Sequence, residues 1–157
     1  MRLRRAQRKG RRLEPGLVGG TVGLIAALPM TRLSGRARQE LAAVELAFIA
    51  GAYPAMALQE GNPRATARES AAAGAFLACA LAGLRLQAPR LLAAGLLAHG
   101  IWDRIHESHH IGTTVPAWYP GFCLAADIVL AVPLLAGRSD RLGLPTSPPA
   151  RGHPAQP

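Results

Sequence analysis

The sequence predicts an all-α protein, an integral membrane bundle of four or five transmembrane helices. Three observations carry that prediction. Half of the 157 residues are hydrophobic and only 17% are charged, a composition shared by membrane proteins and Ala-rich soluble bundles. The apolar residues gather in blocks of about 14–20, near the length that crosses a hydrocarbon core, and these blocks largely lack the polar stripe of a soluble bundle helix. The basic side chains collect in the N-terminal run and at block ends, where positive-inside sorting puts them.

In chain order, Met1–Arg12 holds seven of the 18 basic residues. It reads as a basic cytoplasmic tail, disordered and resting on anionic head groups. Residues 13–40 comprise an apolar segment and a basic connector. Within them Gly16–Met30 is glycine-rich and short for a span. Three readings stay open for it: a first spanning helix, an interfacial segment, or a leader, since signal-peptide cores run about 7–15 residues. No small-residue cleavage site follows it, and Met30 could itself be a start.

The transmembrane domain is read over residues 41–137. Leu41–Leu58 is the first clear span, with Glu45 one turn in and Pro54 as a kink. Gln59–Ser70 reads as a polar turn around Gly61-Asn62-Pro63. Ala71–Leu86 is built on small residues that let helix backbones approach. Gln87–Arg90 is a tight connector, and Leu91–His110 is the third span. Ile111–Tyr119 is a loop whose Trp118 and Tyr119 suit a membrane–water interface. Pro120–Gly137 is the last span, with Pro120 near the helix start and Asp127 in its middle. Residues 138–157 are rich in Pro, Gly and Arg and read as a disordered tail.

Charge sorting selects the topology. Four spans, with everything before Leu41 inside, place 15 Lys/Arg on the inner side and 3 on the outer. Adding Gly16–Met30 as a fifth span gives 10 and 8. The expectation is therefore four spans with both ends cytoplasmic, in a bacterial cytoplasmic membrane.

Four of the five histidines fall between His99 and His110. On one helix His99, Asp103, His106 and His110 stand at i, i+4, i+7 and i+11 and share a face. Ionisable groups inside an apolar helix are costly unless they pair, bind something or face water. Asp103 and Asp127 each lie seven residues from the loop end of their helices, roughly 10 Å at 1.5 Å per residue. Antiparallel neighbours would bring Asp103, His106 and Asp127 to one depth near the outer leaflet, with His99 and His110 next.

Several chemistries compete for these residues. His106-Glu107-Ser108-His109-His110 matches H-E-x-x-H, in which two imidazoles hold zinc and Glu107 polarises water. Against a zinc hydrolase, the chain is short for a protease and Asp127 lacks a following glycine. His106, His109 and His110 also match one histidine box of membrane-bound iron hydroxylases and desaturases, which spread many more histidines over several boxes. The one-face set with Asp127 suits a single divalent Zn, Fe or Mn ion. It suits equally a proton-responsive network or polar contacts that fix helix packing. A small transporter is a further alternative, and the sequence names no substrate.

Other features have plainer readings. Glu45 reaches the inner interface to pair with Arg38 or Arg90. Cys79 and Cys123 are buried thiols without metal-ligand spacing. The net charge of +9 comes without the aromatic or glycine-rich elements of nucleic-acid recognition, so the expected partners are the bilayer and a second copy of the chain.

The segment His99-Gly-Ile-Trp-Asp-Arg-Ile-His106, the run Val115–Cys123 and Asp127 together resemble small bacterial multi-pass membrane proteins of unknown function. Their pattern is H-G-x-W-D-x-x-H, a Pro/aromatic loop, and Cys-x-x-x-Asp on the last helix. The likeness covers about Leu41–Gly137, more weakly through Tyr53 and the turn near Gly61. In those proteins a second histidine usually follows the first directly, whereas Glu107 follows His106 here. The resemblance implies an integral membrane location and no particular activity.

Overall fold

Two capping side chains set boundaries that apolar blocks alone leave open. Ser34 accepts a hydrogen bond from the Ala37 backbone N–H at 3.3 Å, and Asn62 accepts one from Ala65 at 3.2 Å, with Pro63 at the first helical position. Each satisfies an otherwise orphaned N–H of a helix first turn. The computed structural model describes residues 2–109 and 115–136, and places five helices and no strand among them. They are α1 (Arg2–Arg32), α2 (Gly35–Gln59), α3 (Pro63–Arg85), α4 (Pro89–His109) and α5 (Tyr119–Ala136).

The all-α expectation holds, with corrections. Because of the two caps, α2 starts at Gly35 and not Leu41, and α3 starts at Pro63 and not Ala71. The expected polar turn Gln59–Ser70 shrinks to the few residues around Gly61, whose φ of +66° is left-handed. The basic N-terminal run is no disordered tail. Its backbone is helical from Arg2 and continues unbroken into Gly16–Met30, as a segment rich in Arg, Lys, Gln, Leu and Ala favours. Residues 138–157 lie outside the described residues.

The count of packed helices is therefore five, because α1 belongs to the bundle. A Cβ at Gly19 would collide with the Phe122 backbone, and one at Gly23 would lie 2.9 Å from Ala126 Cα. Contacts that advance by four on both helices show α1 and α5 running parallel, backbone against backbone. Elsewhere neighbours alternate in direction. Leu92 packs at Gly83, Phe76 at His99, and Glu69 at His106, so α3 and α4 are antiparallel. Leu46 packs at Gly95 and Tyr53 at Asp103, so α2 and α4 are parallel.

The buried interior has two halves. Toward the α1–α2 and α3–α4 connections it is apolar, built on Met30, Leu46, Leu92, Leu96, Leu130 and Leu134. Arg38 closes that end by donating to the Met30, Leu33 and Pro133 carbonyls at 2.8, 3.2 and 3.4 Å. Its guanidinium is thus committed to helix-end carbonyls, and among the described residues Glu45 forms the expected pair with neither Arg38 nor Arg90. Toward the other end the interior is polar, and Tyr53, Glu69, His99, Asp103, His106 and Asp127 are all buried there.

The outward faces carry large apolar side chains on every helix. Examples are Leu24 and Ile25 on α1, Phe48 on α2, Leu77 and Leu81 on α3, Ile101 on α4 and Val132 on α5. By length and composition two helices, α2 and α5, are apolar enough to cross a membrane. Glycine and alanine dilute α1 and α3, and the His/Asp/Arg-bearing second half dilutes α4.

Candidate metal centre

The centre is assembled on α4 and completed by α5 and α2. Residues four apart on a helix share a face, so His99 and Asp103 project together into the interior, and both are 0% exposed. Gly100 lets α5 approach closely, since a Cβ there would lie 2.9 Å from Leu124 Cδ1 and 3.7 Å from Asp127 Cβ. His99 Nδ1 and Asp127 Oδ2 share a hydrogen bond at 2.9 Å, and Asp103 Oδ2 stands 3.4 Å from the same nitrogen. From α2, the Tyr53 hydroxyl donates to Asp103 Oδ1 at 2.5 Å.

One imidazole nitrogen and two carboxylate oxygens, all within 4.8 Å of one another, make a donor set that could hold a metal ion. Asp103 Oδ2 and His99 Nε2 are buried and make no hydrogen bond. Unsatisfied buried polar atoms are rare and costly, about 1–3 kcal/mol each.

A second polar cluster lies about one turn nearer the α4–α5 connection. His106 Nε2 is 3.0 Å from Glu69 Oε1 on α3, and His106 Nδ1 is 3.1 Å from the Trp102 carbonyl. Trp102 Nε1 donates to Glu69 Oε2 at 3.4 Å. The carbonyl only accepts, so Nδ1 carries a hydrogen. The contact at Nε2 then needs a further proton, on the imidazole or on the carboxyl. Either way the Glu69–His106 pair is neutral overall. The Tyr53 ring joins the two clusters, with its centroid 4.3 Å from that of His106 and its hydroxyl on Asp103.

The expected residues are thus sorted by the fold. His99, Asp103 and Asp127 come together, with His99 at the middle. His106 shares their buried face but is held by Glu69 and the Trp102 carbonyl. His110 lies outside the described residues, as does the side chain of Glu107. Sequence reasoning missed Tyr53 and Glu69 as site residues. The signal for Glu69 was present in Asn62-Pro63: a cap there makes Glu69 the seventh residue of a helix and not part of a turn.

Fold and site together define an all-helical bundle with an imidazole–carboxylate core. Residues 16–140 match a family of unknown function, DUF6010, and the chain belongs to that family. The matched region opens at Gly16 and so takes in the apolar half of α1. No curated protein and no solved structure matches the chain.

Proposed function

We propose that this chain is a five-span integral membrane protein that binds a divalent metal ion on His99, Asp103 and Asp127. The observation that carries the metal reading is the convergence of three donor atoms within 4.8 Å, one of them a buried Asp103 oxygen with no hydrogen-bond partner. Two carboxylates in a low-dielectric interior need a compensating cation or proton. A divalent ion with a neutral imidazole balances both.

The membrane reading is supported by the inverted distribution, with ionisable groups inside and apolar side chains outside on all five helices. At about 1.5 Å per residue even the 18 residues of α5 reach ~27 Å, close to the thickness of a hydrocarbon core. Since α1 lies parallel to α5, the two cross in the same sense. The N-terminus and the centre are then near the same side. The run of seven basic residues in Met1–Arg12 supports a cytoplasmic location for that side. This turns the centre toward the inner leaflet, opposite to the outer-leaflet placement that four spans imply.

Metal content of detergent-purified protein tests the reading. About one ion per chain is expected in the wild type, and loss of most of it in Asp103→Asn and Asp127→Asn. Equal and negligible metal in all three would leave the cluster as a packing network.

A further inference from the structure

We propose that Cys123 supplies a fourth donor to this centre, and that the ion it takes is a thiophilic, tetrahedral divalent metal of the zinc class. The inference rests on the metal reading above.

The argument begins with register. Across the antiparallel α4–α5 interface, His99 faces Asp127 at 2.9 Å. Four residues along each helix, one turn toward the α4–α5 connection, the facing pair is Asp103 and Cys123. The four side chains are two rungs of one ladder. Cβ atoms tilt toward the N-terminus of their own helix, so Asp103 leans toward the His99 rung and Asp127 toward the Cys123 rung. The two carboxylates therefore converge between the rungs.

Cys123 is buried, one turn from Asp127 on α5 and, by this register, opposite Asp103. Its Sγ stands outside the 4.8 Å group of His99, Asp103 and Asp127, so joining that group requires its side chain to turn toward the unpartnered Asp103 Oδ2. Two other polar side chains of the interior are committed. Tyr53 donates to Asp103, and His106 is held by Glu69 and a carbonyl.

Three donors are one short of the tetrahedral set that zinc takes in closed sites. A set of one nitrogen, two oxygens and one sulfur selects zinc-like ions over magnesium or calcium, which take oxygen ligands alone. Coordination displaces the thiol proton to solvent and leaves His99 neutral, with its hydrogen on Nε2. The centre then carries one net negative charge, and the Tyr53 hydroxyl is placed to donate to the Asp103 carboxylate.

Cobalt(II) titration of the full chain in detergent tests this directly. Tetrahedral cobalt gives visible d–d bands, and a thiolate ligand adds a near-ultraviolet sulfur-to-cobalt charge-transfer band. Wild type is expected to show both. Cys123→Ser should lose the near-ultraviolet band while keeping the visible ones, and Cys79→Ser should keep both. Wild type with visible bands alone overturns the Cys123 assignment and leaves a nitrogen–oxygen centre. Loss of the near-ultraviolet band in Cys79→Ser, or its survival in Cys123→Ser, overturns it as well. Absence of any bound cobalt or zinc in the wild type overturns the metal reading itself. Where Cys123→Ser fails to fold, Cys79→Ser decides, because a near-ultraviolet band retained there can come only from Cys123.

Discussion

Tyr53 and Asp103 stand fifty residues apart in sequence, and the Tyr53 hydroxyl donates to Asp103 Oδ1 at 2.5 Å in the buried interior. That bond ties α2 to α4 and decides which carboxylate oxygen is engaged. Oδ1 belongs to Tyr53, so Oδ2 is the oxygen turned toward His99 Nδ1. A ligating carboxylate is commonly held in this way by an outer donor.

Tyr53→Phe removes the donor and keeps the ring against His106. Metal affinity is expected to fall roughly 10- to 100-fold, the range typical for loss of an outer-shell partner. Titration calorimetry on purified protein checks it. Unchanged affinity would mean that Asp103 needs no help to hold its orientation.

Glu69 and His106 are expected to behave as a coupled pair. Glu69→Ala strands a buried imidazole, which should destabilise the bundle by about 3–5 kcal/mol. The double variant Glu69→Leu/His106→Leu removes both polar groups and should lie closer to wild type than Glu69→Ala does. Unfolding midpoints in detergent, taken as a double-mutant cycle, read the coupling. Metal content should stay near one per chain in the double variant, because neither residue is a ligand.

The α1–α5 contact depends on which glycine is replaced. Gly19→Ala puts a methyl into the Phe122 backbone, whereas Gly20 has nothing within 4 Å. Gly19→Ala is expected to cost about 1–3 kcal/mol, as overpacking does, and Gly20→Ala to cost little. Thermal unfolding of the two variants side by side gives the comparison. Equal effects would count against the parallel packing of α1 on α5.

Topology reporters distinguish five spans from four. With the N-terminus cytoplasmic and five spans, fusions at residues 34 and 87 report outside, and those at 61 and 113 report inside. A fusion at 140 reports outside. Four spans invert every one of these signals, so a cytoplasmic signal at 34 would be enough to reject the five-span arrangement.

The face His99–Asp103–His106 was legible because helical periodicity is local: three spacings on one segment fix it without knowledge of the partner. The nearness of Asp127 to Asp103 was legible from counting residues back from a shared connection. What was not legible came from neighbours. Glu69 stands among polar residues after a Gly-Asn-Pro turn, and only the Asn62 cap reveals that it is inside a helix. Tyr53 differs from an ordinary core aromatic only by the carboxylate it meets on a helix fifty residues away. The α1 segment was obscured for a different reason. A run of arginines and a stripe of glycines each look unsuited to a core. Gly16, Gly19 and Gly23 are suited to the one partner that meets them, the backbone of α5.

That partner arrives late. Gly19 and Phe122 are about 100 residues apart, so at roughly 5–20 residues per second of synthesis α1 leaves the ribosome some 5–20 s before α5. For that interval its glycine face has no helix to fill it. Of the five helices, the one made first is thus the last one seated. A nascent chain halted before Tyr119 holds α2, α3 and α4 in full, but neither a docked α1 nor Asp127. Maturation of the fold and completion of the centre therefore wait on the same final helix.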